Sequence, residues 1–454
     1  MQADIVILAA GQGSRMKSKL PKVLHPLAGK PLVQHVIDQA STIAGSKMHI
    51  VVGHGADQVK SALANQGAAF YLQEEQLGTG HAVAQAVPGL DGEGVSLILY
   101  GDVPLTPATV MQSMVQIAAR GHLALLTVVL EDPTGYGRIE RNTVNDVVGI
   151  VEQKDANEEQ LRITEVNTGI LALPTQLMVE WLPKLSSNNA QGEYYLTDLI
   201  AMAAQAGIAI NTLNPDSEFE VQGVNNRRQL AELERWYQLQ QANRLMDAGA
   251  TLADPTRVDV RGNLSTGTDC SFDINLVIEG EVEIGSNVSI GPNCVIKDSK
   301  IGDGVEILAN SHIDGAVIAA GAQIGPYARL RPGTDLAEKT KVGNFVEIKK
   351  ASVGVGSKVN HLSYIGDAQL GSDVNVGAGT ITCNYDGVNK SLTEIGDNAF
   401  IGSNTSLVAP VKVGKGATVG AGSTITKEIG DSELAVARAK QRNIDTWERP
   451  TKKV

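Results

Sequence analysis

The sequence runs to 454 residues with 50 acidic against 38 basic side chains, and a formal charge of −12 opposes general binding to a polyphosphate backbone while leaving room for a local basic pocket. Its three cysteines, Cys270, Cys294 and Cys383, are too scattered for a disulfide framework or a thiolate zinc site, which points to reduced thiols and a cytoplasmic setting. No apolar run reaches the ~18 residues of a membrane span, the N-terminus lacks a signal peptide's apolar core, and the length suits two or three domains.

From Asp4 to about Arg227, short aliphatic runs alternate with amphipathic stretches. DIVILAAG, MHIVVGHG, VSLILYGD and LALLTVVLED are predicted to be strands buried on both faces with helices between them, so this part is an α/β sheet. A helix is predicted to start near Pro31, where PLVQHVIDQA puts Leu32, Val36 and Ile37 on one face and polar residues on the other. LAAGQGSRM, Leu8 to Met16, follows the first strand. It lacks the third glycine and downstream acid of a dinucleotide fingerprint, and the GK[ST] ending of a Walker loop. What is left is a glycine-rich turn whose amides can face an anion, followed by the cations Arg15 and Lys22. Asp102 lies just past SLILYG, at the end where open α/β sheets present ligands. A carboxylate there suits Mg2+, and a turn or helix-cap aspartate is the competing reading. RRQLAELERWYQLQQANRLMD, Arg227 to Asp247, has no Gly or Pro and sets Leu230, Leu233, Trp236 and Tyr237 at helical spacing, which predicts a connecting helix. The expected domains are therefore residues 1–227, a linker helix over 228–248, and residues 249–454.

The last segment is a repeat. An aliphatic residue returns mostly every six positions, through Ile278, Ile284, Ile290 and Ile296, later Ile318, Ile324 and Leu330, and later still Val353, Val359 and Ile365. Hexad periodicity predicts a parallel β-helix in which three repeats close one triangular coil and the aliphatic column faces inward. CNYDGVNKSLTE interrupts the hexads and is expected to project as a loop. Of eight histidines only His312 and His361 lie in the hexad tract, too few for the three imidazoles of a γ-carbonic-anhydrase-type metal site. His312 reads as an outward structural residue. Arg331 and Lys349, 18 residues apart, are expected to stack with the 361–364 segment along one edge, which by itself describes a solvated charge column.

LAAGQGSRM and LPKVL, followed in order by QEEQLGTGHA, LYGDVPL, PTGYGRI, GIVEQKDA, EVNTGI, NNAQGEYYLTD and EVQGVNNR, resemble the signature of sugar-1-phosphate nucleotidyltransferases. Together with the hexads, the resemblance extends over nearly the whole chain to the bifunctional bacterial N-acetylglucosamine-1-phosphate uridyltransferase/glucosamine-1-phosphate acetyltransferase family. It implies a Rossmann-like nucleotidyltransferase domain, a connecting helix and a left-handed β-helix. It also implies a cytoplasmic homotrimer that uses acetyl-CoA, UTP and Mg2+ to make UDP-N-acetylglucosamine for cell-wall and lipopolysaccharide synthesis.

Residue by residue, the resemblance implies that Arg15 and Lys22 neutralise the triphosphate and that Asp102 and Asn225 hold the metal. Leu8, Ala9, Ala10, Gly11, Gln73, Gly78, Thr79, Tyr100 and Gly101 match the nucleotide contacts, and Gly137, Glu152 and Asn167 match the sugar contacts. Gln12 departs from members that carry lysine there, which bears on phosphate affinity. In the β-helix, His361 matches the general base, with Arg331, Lys349, Tyr364 and Asn375 around glucosamine 1-phosphate. Ala378, Asn384, Tyr385, Ser403, Ala421 and Arg438 match acetyl-CoA contacts in a groove expected between subunits. The alternative function is a single-activity nucleotidyltransferase whose β-helix only assembles or regulates.

Overall fold

The computed structural model describes residues 2–452. The chain forms two compact units, Met1–Tyr237 and Gln238–Val454, and the division falls inside the helix Arg227–Asp247. Among the described residues no helix is long and apolar enough to cross a membrane.

The first unit is a nine-stranded sheet. Its strands are β1 (Ala3–Ala9), β2 (Ser46–Val52), β3 (Ala69–Leu72), β4 (Val95–Tyr100), β5 (Leu123–Val129), β6 (Arg138–Arg141), β7 (Val147–Val151), β8 (Glu165–Pro174) and β9 (Ile210–Leu213). The order is β9-β5-β8-β4-β1-β2-β3, parallel throughout except for β8, which runs antiparallel to both neighbours. The β6–β7 hairpin joins the sheet where Arg138 pairs with Val166 of β8. Along β1 the side chains alternate between two cores, Ile5, Ile7 and Ala9 on one face and Val6 and Leu8 on the other. Such a strand, covered on both sides, reads as one aliphatic run in the sequence. The ends of β1 and β4 open side by side, tied where Gly101 N–H donates to Leu8 C=O at 2.9 Å, so the glycine turn and Asp102 share one edge of the sheet.

The helix Leu32–Ala40 buries Leu32, Val36 and Ile37 as expected, but also His35, which the pattern had left on the polar side. The His35 ring reaches Leu27 C=O at 2.9 Å and meets Tyr237 edge-on at 5.6 Å, so the connecting helix covers a face that the local sequence alone would leave to water. Leu233 is fully buried, and Trp236 stacks on Phe219 with centroids 5.6 Å apart.

Among the described residues of the second unit the strands all pair in parallel, and only an isolated bridge, Tyr385 to Lys390 in the inserted loop, is antiparallel. One sheet of 11 strands runs from Thr251–Leu252 to Leu434–Ala435, and a 15-stranded sheet takes the remaining strands. Equivalent hexad positions fall in register from coil to coil, as Ile307 on Ile324, Ile324 on Val342, Val342 on Val359 and Val359 on Val376, and all of them are buried. Each such side chain contributes roughly 1.5–3 kcal/mol by leaving water, and the column repeats that gain along the unit. After the 11-stranded sheet the chain turns a corner through a left-handed backbone position, occupied in successive coils by Asn293, Asn310, Tyr327, Phe345 and Leu362 with φ of 60, 61, 55, 55 and 49°. Asparagine suits that conformation, whereas tyrosine, phenylalanine and leucine are strained in it. Those three are also exposed, and Tyr327 and Phe345 stack with centroids 5.4 Å apart. Between Ile381–Cys383 and Thr393–Ile395 the chain leaves the coil as expected, and Ser391 N–H closes the loop on Asn384 C=O at 2.9 Å.

Candidate active sites

A cavity of about 220 Å³ opens at the shared edge of β1 and β4. It is lined by Leu8, Ala9, Ala10 and Gly11 of the glycine turn, by Lys22, by Gln73, Gly78 and Thr79, and by Tyr100 and Asp102. Gly101 lies behind it, close against Val23 and Val33. The sequence reading did not select Val23, Gln76, Ala82 and Glu193, which also line it, although all four sit inside stretches that carried the resemblance. Two glycines are fixed by geometry. Gly13 has φ of 59° and a Cβ there would come within 2.6 Å of Lys22 Cβ; at Gly78, with φ of 109°, it would meet Tyr194 C=O at 2.6 Å.

Lys22 Nζ bonds the Asp102 carboxylate and lies 3.3 Å from Asn225 Oδ1, which also accepts from Arg15 at 2.9 Å. Asn225 is set beside Asp102 because Val224 N–H donates to Asp102 C=O at 2.9 Å, and its own N–H is held by Gln229 Oε1. Thus the carboxylate of Asp102 and the amide oxygen of Asn225 already converge on one cationic group, the Lys22 ammonium. Hard oxygen donors gathered round a cation fit Mg2+.

Gly137, Glu152 and Asn167 form a second cluster beyond Tyr100. Asn167 N–H donates to Gly137 C=O at 2.9 Å, and a Cβ on Gly137 would stand 3.3 Å from both carboxylate oxygens of Glu152. Burial pushes the Glu152 carboxyl above the ordinary range, with Asp155, Asp198 and Glu193 adding to it, against a 3.1 Å hydrogen bond from Thr197 Oγ1. Burial, then Asp102 and Glu152, holds the Tyr100 phenol far above its usual range, so it stays a neutral donor between the two clusters.

In the β-helix, Leu330 and Ile348 pair in register, so Arg331 and Lys349 stack in adjacent coils as expected, but the next position in that column is Gly366. His361 belongs to the neighbouring column, paired with Asn344, and the two columns meet at the corner after His361. The 361–364 segment therefore wraps an edge, with His361 closing one strand and Tyr364 opening the next. The Tyr364 hydroxyl folds back over Gly366, where a Cβ would come within 2.3 Å of it, so it lies beside the Lys349 register position. Asn375 stands on the strand next to that of His361, opposite Lys358.

His361 Nδ1 is 2.9 Å from Asn344 Oδ1; an amide oxygen only accepts, so Nδ1 donates there and Nε2 is the ring nitrogen left to face a substrate. Arg331 donates to Glu347 Oε1 at 2.8 Å, which raises its guanidinium further above the usual range. The inserted loop supplies Lys390, which sequence reasoning missed because nothing marks it among other loop residues. The Lys349 ammonium close beside it lowers Lys390 from the lysine range. Two cations held together at the protein surface favour an anion between them. A recess of about 240 Å³ adjoins His361 and Asn344.

The remaining expected residues fall along the same corner. Ala378 C=O accepts from Asn404 N–H, Ser403 C=O from Gly422 N–H, and Ala421 C=O from the Arg438 guanidinium at 2.7 Å, so Ala378, Ser403 and Ala421 succeed His361 coil by coil. Asn384 donates to the Asp367 carboxylate, anchoring the loop that presents the exposed Tyr385. His312 is exposed, as expected, and shares the strand column of Arg329, Glu347 and Tyr364, three coils before Tyr364.

Comparison with known proteins gives three family matches. A MobA-like NTP transferase domain covers residues 5–166, a GMPPB C-terminal domain residues 260–353, and a bacterial transferase hexapeptide of six repeats residues 392–427. The fold is accordingly a nucleotidyltransferase α/β domain followed by a left-handed β-helix. Proteins named bifunctional protein GlmU are 64% identical over 448 residues in Marinobacter nauticus and 63% identical over 450 residues in Cellvibrio japonicus, each alignment covering 99% of both chains. The protein of that name from Idiomarina loihiensis is 57% identical over 100% of this chain and 99% of its own.

Proposed function

The chain belongs to the bifunctional GlmU family, and from that premise we infer that it makes UDP-N-acetylglucosamine in two steps at two separate centres. The β-helix acetylates glucosamine 1-phosphate from acetyl-CoA, and the α/β unit then transfers a uridylyl group from UTP to the product. The observation that carries the reading is the coexistence of an anion-facing cavity at β1 and β4 with a histidine whose proton position is fixed beside a cationic column.

In the first step the sugar amine nitrogen attacks the thioester carbonyl, the C–S bond breaks and CoA leaves as its thiol. His361 Nε2 takes the amine proton, and imidazole titrates near neutral pH, where such a base is useful. Arg331, Lys349 and Lys390 receive the sugar phosphate, arginine through its two-pronged donor face. Tyr364 and Asn375 orient the sugar. Ala378, Asn384, Tyr385, Ser403, Ala421 and Arg438 receive acetyl-CoA. The exposed Tyr327, Phe345 and Leu362 at the corner support a homotrimer in which a neighbouring copy walls the groove.

In the second step a phosphate oxygen of N-acetylglucosamine 1-phosphate attacks the α-phosphorus of UTP, and pyrophosphate leaves. The work asked of the protein is positioning and charge neutralisation. The Leu8–Gly11 turn, Gln73, Gly78, Thr79 and Tyr100 hold the nucleotide; Gly137, Glu152 and Asn167 hold the sugar. Arg15 and Lys22 turn to the triphosphate. Asp102 and Asn225 would hold Mg2+, which supplies further neutralisation at the phosphates when bound. A cytoplasmic location agrees with a nucleotide-dependent reaction and reduced thiols.

The direct test supplies glucosamine 1-phosphate, acetyl-CoA, UTP and Mg2+ and follows the products. N-acetylglucosamine 1-phosphate is expected first and UDP-N-acetylglucosamine with pyrophosphate second; absence of the acetylated sugar phosphate would leave the single-activity alternative. Two narrower results are expected. Asn344→Ala lowers kcat for acetyl transfer about tenfold by freeing the imidazole tautomer, and Asn344→Asp, which still accepts from Nδ1, restores most of it. Steady-state rates at saturating acetyl-CoA check this.

Glu152 gives a pH signature. A carboxyl whose folded pKa is raised takes up its proton at higher pH than a free one, so sugar affinity falls on the acid side earlier than for an ordinary carboxylate. Above that folded pKa the ionised form weakens folding, because the unfolded chain holds the charge more cheaply. Glu152→Gln is therefore expected to raise the KM for N-acetylglucosamine 1-phosphate and flatten its acid limb, while Tm at neutral pH stays level or rises. KM against pH at saturating UTP, with a melting curve, tests both halves.

A further inference from the structure

Arg138 is 2% exposed and among the largest fully buried side chains. A buried guanidinium is costly unless its surroundings use it. Its bonds go to two oxygens that carry no charge: Nη1 donates to Tyr136 C=O, and Nη2 to Gln153 Oε1 at 2.8 Å, while Nε has no partner among the described residues. The positions of those oxygens are informative. Tyr136 directly precedes Gly137, and Gln153 directly follows Glu152. The same Gln153 Oε1 accepts from Gly135 N–H at 3.1 Å, closing the approach to Gly137 from the other side. On the backbone Arg138 pairs with both Val151 and Val166, the latter adjoining Asn167. One residue thus spans all three segments that carry Gly137, Glu152 and Asn167.

We propose that Arg138 is the positioning residue of the sugar half of the uridylyl site, setting the spacing between the Gly137 backbone and the Glu152 carboxylate that N-acetylglucosamine 1-phosphate must fit. This rests on the uridylyl reading of the α/β unit. Arg138 touches neither substrate. It fixes a hairpin against a carboxylate that burial and neighbouring acids otherwise disfavour in its ionised form. A displacement of the order of 1 Å in such a site costs on the order of 10²-fold in rate.

The experiment uses the full chain, with acetyl transfer as an internal check on folding. Wild-type protein is first assayed for pyrophosphate release from UTP and N-acetylglucosamine 1-phosphate; failure there overturns the uridylyl reading, and this inference with it. Arg138→Met removes the charge and both bonds, Arg138→Lys keeps the charge but cannot span both oxygens, and Gln153→Ala cuts the far end alone. Expected for Arg138→Met and Gln153→Ala is a rise of about 10- to 100-fold in the KM for the sugar phosphate, with KM for UTP and the acetyl-transfer rate unchanged. Arg138→Lys should fall between them and wild type. Discrimination against glucose 1-phosphate should shrink in step, a change that a general loss of stability would not produce. If active wild type is accompanied by variants whose two KM values rise together, or do not move, the assignment of Arg138 is overturned while the uridylyl reading stands. Should Arg138→Met fail to fold, Gln153→Ala decides alone, an unchanged sugar-phosphate KM counting against the proposal.

Discussion

His361→Ala is expected to lower acetyl transfer by about 10²–10⁴-fold, the range a general base supplies, while UTP-dependent uridylyl transfer stays near wild type. The split follows from how little else the ring does. His361 is exposed, its side chain bonds only Asn344 among the described residues, and its backbone C=O accepts from Gly379 N–H and Ser363 Oγ whatever the side chain. The coil is held by the inward neighbour Val359, fully buried between Val342 and Val376. Removing an exposed imidazole therefore costs about 0.5 kcal/mol or less in stability. The uridylyl transfer proposed above draws on Lys22, Asp102 and Asn225, which belong to the other compact unit. Separate assays on one preparation read both activities. Loss of both in a folded protein would mean that the two centres are not independent.

What could be read beforehand followed periodicity. A hexad repeated through the whole tract leaves little freedom: Ile278, Ile324, Val359 and Ile365 had to face inward, and all do. The helix Arg227–Asp247 was equally plain, because no Gly or Pro interrupts it. Period, however, does not say where a coil turns, and this is why His361 and Lys349 were expected on one edge but stand on two columns that meet at a corner. Burial of polar residues was also hidden. Asp4 sits fully buried inside an aliphatic strand because the His49 ring lies 2.9 Å from its carboxylate, a partner 45 residues away that no local pattern supplies. The antiparallel β8 and the hairpin β6–β7 were missed for a related reason. The buried apolar run of β8, Ile170–Leu173, is short, and β6 and β7 are four and five residues of mixed burial with no clean alternation. The residues of the nucleotide cavity were legible only through the order of their motifs, since Gln73, Thr79 and Tyr100 carry no chemistry that would single them out alone.

Asp102→Asn is expected to do the reverse of His361→Ala, lowering uridylyl transfer by on the order of 10²–10³-fold or more while acetyl transfer is kept. Asparagine preserves the side chain's size, and the bond from Val224 N–H to the backbone C=O of residue 102 does not depend on it. What changes is charge. The Lys22 ammonium, which the amide oxygen of Asn225 also meets, now lacks its carboxylate partner, and side chains of Lys22 and Asp102 only 15% and 16% exposed leave little water to replace it. A hard dication held as proposed would lose an anionic ligand there, so the variant should need more Mg2+ for whatever rate remains. A chelator on the wild type should mimic the variant, stopping uridylyl transfer and sparing acetyl transfer, because the acetyl step asks only for a proton acceptor and an anion site. Rates measured across a Mg2+ titration separate the contributions. A shifted Mg2+ requirement assigns Asp102 to the metal, whereas an equal fall in rate at every concentration assigns it to orienting Lys22. A wild-type rate with a wild-type Mg2+ requirement would remove Asp102 from the centre.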